Sequence, residues 1–122
     1  MKVDELMSTD LCTVDPEATL AEASTLMGER GVGSAMVIDE GRLVGIVTER
    51  DVVRAMSNAH DAPVRPVAEW MTRKPGTATP GTSVKEALQL MVDGGFRHLP
   101  ICDGDQPVGM VSMRDIARAL AG

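Results

Sequence analysis

Aromatic side chains are nearly missing from this chain. It has one Phe (Phe96), one Trp (Trp70) and no Tyr, together 2% of 122 residues. No row of rings is available on which unpaired bases could stack. Positive charge is also short: 12 Lys and Arg face 18 Asp and Glu, for a net charge of -6. A nucleic-acid binder needs a basic face to displace counterions from phosphates, so that class is excluded. Only two cysteines occur, Cys12 and Cys102, too few for a disulfide framework; they read as buried reduced thiols. No apolar run approaches the roughly 20 residues that cross a bilayer. The opening stretch VDELMSTD is acidic and does not resemble a leader. A cytoplasmic protein without membrane contact is expected. The sequence contains no HExxH, CxxC, Walker lysine loop or Gly-x-Ser-x-Gly. Asp51 and Asp115 have no partnered base or metal cluster beside them, so no enzyme and no metal site is expected.

Hydrophobic residues make up 43% of the chain, including nine Met. That is enough for a real core, and the Met side chains make it an adaptable one. The clearest signal is internal repetition. Matching residues 1–58 with those 64 positions later gives 18 identical pairs, where chance gives roughly four. Thr13 falls on Thr77, Pro16 on Pro80, Met27 on Met91, Gly31 on Gly95, Val44-Gly45 on Val108-Gly109, and Arg50-Asp51 on Arg114-Asp115. The unit is too small to close a core readily by itself, so the two copies should pack on each other. Residues 1–58 form the first copy and 67–122 the second. The segment between, 59–66, holds two prolines and the exposed-type His60 and reads as a linker.

Each copy reads as turn, strand, helix, strand, strand, helix. VDELM and VAEWM are short amphipathic turns; CTV and TAT are short strands. Thr19-x-x-Glu22 and Ser83-x-x-Glu86 are capping boxes that start helices ending at Gly31 and Gly95. Leu20, Ala23 and Met27 have helical spacing, as do Val84, Ala87, Leu88 and Met91. SAMVI and LVGIVT form a hairpin around DEGR; LPIC and PVGMVS repeat it around DGDQ. Thr48 and Ser112 then start the last helix of each copy. The fold class is α+β, with helices on one face of a small sheet.

This order of elements, its tandem repetition and the paired motifs GIVTERD (Gly45 to Asp51) and GMVSMRD (Gly109 to Asp115) resemble the cystathionine-β-synthase (CBS) domain. The resemblance covers nearly the whole chain. It implies two pseudo-symmetric CBS domains forming an intramolecular pair with two clefts. It further implies an adenosyl ligand there (AMP, ADP, ATP or S-adenosylmethionine), a regulatory rather than cofactor role for that ligand, a homodimer, and an unknown regulated protein on another chain.

The resemblance also implies site residues. Each cleft takes the Ser/Thr-x-x-Asp of one copy and the first strand and pre-strand loop of the other. The first set is Thr48 and Asp51 with Gly76, Thr77, Ala78, Phe96, Arg97, His98 and Pro100. The second is Ser112 and Asp115 with Cys12, Thr13, Val14, Val32, Gly33, Ser34 and Ala35. The chemistry suits these roles. A helix N-terminus offers free N–H groups and partial positive charge to an anion. A carboxylate accepts from ribose hydroxyls. Arg97 adds a fork of charged donors and His98 a titratable one. Gly33 and Ser34 bring no charge at the matching places, so the two sets are unequal. The same Ser/Thr-x-x-Asp pattern also serves as an ordinary capping box. The alternative function is a structural dimerisation module with vacant clefts. For dimerisation the apolar positions Val52, Val53, Met56, Ile116 and Leu120 are the candidates, though they equally suit a core within one chain.

Overall fold

Helices begin where a hydroxyl can take up a free backbone N–H. The Glu22 amide donates to Thr19 Oγ1 at 3.1 Å and the Thr19 amide donates back to Glu22 Oε1 at 3.3 Å, opening α1 (Leu20–Arg30). The helix stops on Gly31, whose φ of 65° is left-handed and free of Cβ strain. In the second copy, α3 (Val84–Gly94) forms only half of the expected box. The Glu86 amide donates to Ser83 Oγ and the Ser83 hydroxyl donates to the Glu86 carboxylate, as at Thr19, but that carboxylate makes no bond to the Ser83 amide.

The computed structural model describes residues 1–122 and is α+β as expected; the first copy has the expected order of elements, while in the second the expected strand TAT is reduced to a single bridge of Ala78 to Ile101. In the first copy, β1 (Thr13–Val14) runs parallel to β2 (Ser34–Asp39), and β2 forms a hairpin with β3 (Arg42–Thr48). Its turn places Glu40 and Gly41 at φ 51° and 79°, the handedness that matches strand twist. In the second copy, β5 (His98–Asp103) and β6 (Gln106–Ser112) form the equivalent hairpin. The register shifts at equivalent points, Val37/Ile38 and Ile101/Cys102. The closing helices are α2 (Glu49–Asn58) and α4 (Met113–Ala121).

The chain divides into two compact units that do not coincide with the repeats. One is Cys12–Lys74; the other joins Met1–Leu11 to Pro75–Gly122. The reason lies in the opening segment of each repeat. Residues Thr72–Arg73 form β4, which pairs antiparallel with β3 of the first repeat. The segment 59–66 packs on the same unit: Ala62 is fully buried and the Leu20 amide donates to the Arg65 carbonyl, while His60 is exposed. Correspondingly, Ser8 pairs with Met110 of β6, Lys2 bridges Ser83, and Val3 is fully buried among Val84, Ala87, Leu99 and Ile116. A methionine marks each junction. Met71 lies so close over Gly45, and Met7 over Gly109, that a Cβ on either glycine would collide with the thioether sulfur.

Each unit has its own core. Leu20, Ala23, Met27, Val37, Val47 and Ala55 fill that of Cys12–Lys74. Both cysteines are free and buried. Burial, and then Asp105, pushes the Cys102 thiol up, which makes it a poor nucleophile at neutral pH. No helix is long and apolar enough to cross a membrane.

Candidate functional site

Two helix starts carry the polar chemistry. At the head of α2, the Asp51 amide donates to Thr48 Oγ1 at 3.3 Å. Asp51 Oδ2 accepts from the Thr48 amide at 2.9 Å and from the Thr48 hydroxyl at 3.1 Å. Asp51 is only 6% exposed. Its other oxygen, Oδ1, accepts from Arg54 at 3.1 Å, and the same Arg54 nitrogen donates to the Trp70 carbonyl at 3.0 Å. Arg54 was not singled out from the sequence. The available signal was its position one helical turn after a buried carboxylate.

At the head of α4, the Ser112 amide donates to Asp115 Oδ2 at 2.8 Å, and the Asp115 amide donates to Ser112 Oγ at 3.1 Å. Asp115 is half-buried. Nothing in the chain bonds its second oxygen. Arg118, the repeat equivalent of Arg54, forms no ion pair with it.

The hairpins bring the pre-strand loops alongside these caps. In Cys12–Lys74, Ser34 pairs with Thr48 across β2 and β3, and the Glu49 amide donates to the Gly33 carbonyl at 3.0 Å. The Met36 amide donates to the Cys12 carbonyl at 2.8 Å, which sets Thr13 and Val14 beside β2. Val32 follows the α1 cap and is exposed; Ala35 is buried. In the other unit His98 pairs with Ser112, and the Met113 amide donates to the Arg97 carbonyl at 2.8 Å. Gly76 and Thr77 are exposed, while Ala78 bridges Ile101 and donates its amide to the Pro100 carbonyl. The Phe96 ring lies against Gly76 and Gly94, where added Cβ atoms would meet it. The Arg97 side chain is exposed and makes no hydrogen bond or ion pair.

Each unit therefore gathers one Ser/Thr-x-x-Asp cap and one pre-strand loop of the same repeat. Of the first expected set, Thr48 and Asp51 belong to Cys12–Lys74 and the rest to the other unit; the second set divides the opposite way. No group of three or more His, Cys, Asp or Glu is arranged to hold a metal ion.

The model of the CBS domain matches the chain twice, over residues 3–58 and 67–122. This chain is a member of the CBS-domain family. It is 36% identical over 116 residues to the CBS domain-containing protein YhcV of Bacillus subtilis, covering 94% of this chain and 82% of YhcV. Among solved structures it resembles the CBS domain pair of MJ0100, in complex with 5′-methylthioadenosine and S-adenosyl-L-methionine. The TM-score is 0.93 at 26% identity, over 100% of this chain and 97% of that one. It also resembles CBSX2 in complex with AMP, with a TM-score of 0.86 at 25% identity over 98% and 96% of the two chains. The CBS repeats thus take up nearly the whole chain.

Proposed function

We propose that this CBS pair is a cytoplasmic sensor of adenosyl ligands that regulates another protein by binding and not by catalysis. The observation that carries the reading is the pair of matched caps, each joining a hydroxyl, a carboxylate and a helix N-terminus. Similar CBS pairs hold AMP or S-adenosyl-L-methionine, and the caps offer the groups that a phosphate and a ribose need. Asp51 and Asp115 take ribose hydroxyls; Thr48, Ser112, Arg97 and His98 take phosphate. By the family resemblance Arg97 and His98 serve the ligand held by Thr48 and Asp51, so phosphate charge favours that set. The other set suits an adenosyl group with little phosphate.

A melting panel with AMP, ADP, ATP, S-adenosylmethionine and methylthioadenosine tests this. A ligand at 100 times its Kd adds about 2.7 kcal/mol of stability. If none of the five raises the melting midpoint, the alternative of a dimerisation module without ligands gains.

Self-association is also proposed, as a homodimer through α2 and α4. Its support is exposed apolar surface: Val53 is 66%, Met56 53% and Leu120 70% exposed. Ile116, by contrast, lies in the core and Val52 is half-buried, so the stripe reduces to the outer positions. Light scattering at micromolar concentration should give a dimer mass, and Val53→Glu with Met56→Glu should give a monomer. A monomeric wild type sinks the idea.

A further inference from the structure

The two ribose-type carboxylates stand in the same motif, yet their acceptor positions differ. A carboxylate offers about four lone-pair positions. Asp51 has three in use: two by the Thr48 amide and hydroxyl and one by Arg54. Only one is left, and a vicinal diol needs two. Asp115 has one in use, by the Ser112 amide, so both hydroxyls of a diol can be accepted. The Ser112 hydroxyl proton is likewise uncommitted, while that of Thr48 points to Asp51.

The residue that makes the difference is Arg54. Its own ion pair is largely solvated, with the guanidinium side chain 55% exposed. The second anchor, the Trp70 carbonyl at 3.0 Å, holds it over Asp51. Arg118 has the same spacing from Asp115 and no such hold. The repeat thus supplies an internal control: one sequence pattern, one engaged arginine, one idle.

We infer that Arg54 is a specificity residue that competes with the ligand for Asp51, so that a ribose diol docks at Asp115 first and reaches Asp51 only by displacing the Arg54 guanidinium. This rests on the adenosyl reading above. It adds a second basis for sorting: phosphate draws a nucleotide toward the Asp51 set, while an uncharged adenosyl ligand is steered to Asp115.

The test uses adenosine, which has the diol and no phosphate, and 2′-deoxyadenosine, which lacks the diol. Calorimetry is run on the wild-type chain, on Asp51→Asn, on Asp115→Asn, and on Asp115→Asn combined with Arg54→Ala or with Arg54→Gln. Asparagine keeps a carbonyl oxygen for the Ser112 amide, and melting curves confirm folding. Asp115→Asn should weaken adenosine more than Asp51→Asn does. Adding Arg54→Ala or Arg54→Gln should tighten the remaining adenosine binding about two- to fivefold, the scale of one solvated ion pair, with no gain for 2′-deoxyadenosine. Unchanged or weaker adenosine binding on removing Arg54 overturns the role of Arg54 alone. No binding of any adenosyl compound to the wild type or to the Arg54 variants overturns the adenosyl reading and this inference with it.

Discussion

Arg97→Ala should weaken AMP binding by about ten- to a hundredfold and leave adenosine binding nearly unchanged. The chain carries a net charge of -6, so its long-range field repels a nucleotide. Affinity for phosphate must come from short contacts, and a hydrogen bond to a charged group contributes about 1.5–3 kcal/mol. At 1.4 kcal/mol per decade this is the stated loss. Comparing AMP with adenosine cancels the ribose and adenine contacts and isolates the phosphate. The Arg97 side chain is exposed and unpaired, so its removal should shift stability by no more than about 0.5 kcal/mol. Titration calorimetry of the variant with both ligands decides the matter. An AMP affinity equal to wild type would show that Arg97 does not hold the phosphate.

Val3→Asp should destabilise the unit built from Met1–Leu11 and Pro75–Gly122 by about 3–5 kcal/mol, the range for leaving a buried charge uncompensated. Val3 opens a short 3-10 turn, Val3–Glu5, whose other two residues are exposed. Here it is 0% exposed and lies in a core with Leu99, Ile101 and Ile116. Its amide donates to the Thr82 carbonyl at 2.9 Å, and the Val84 amide donates to the Met1 carbonyl. The neighbour Asp4 is exposed, so Asp4→Ala serves as the inert control. Urea unfolding followed by far-UV circular dichroism measures the difference. A Val3→Asp variant as stable as Asp4→Ala would mean that the first segment is dispensable.

The sequence made most of the local structure legible because local structure depends on neighbours. The Thr19 box, the left-handed Gly31 and Gly95, both hairpins and the helix faces follow from residues three or four apart, or from alternation. Two features needed more. A repeat of period 64 gives Val3 and Val67, or Met7 and Met71, the same surroundings in either copy. Pattern alone cannot say which copy a segment joins, and each joins the hairpin of the other repeat. The second feature is Arg54. Both Asp51-x-x-Arg54 and Asp115-x-x-Arg118 have identical spacing, and what separates them is a backbone carbonyl at Trp70, sixteen residues further on. A hydrogen bond to a main-chain oxygen leaves no trace in composition or periodicity. The half-formed box at Ser83 is similar: its hydroxyl bonds as that of Thr19 does, and whether the Glu86 carboxylate also reaches the Ser83 amide is a matter of rotamer.

The placement of the opening segment sets an order of events during synthesis. Cys12–Lys74 is continuous along the chain, and all its partners have been made once Lys74 is added. Met1–Leu11 is made before that unit but pairs with positions some eighty to a hundred residues downstream, Ser83 and Met110. Contacts of such long separation form late, since closing the loop costs entropy before any contact compensates. Residues 1–11 therefore remain without their partners until β6 has been made. During that interval Val3, Leu6 and Met7 form an unpaired apolar segment of the nascent chain, open to chaperones and to the same strand site on a neighbouring copy.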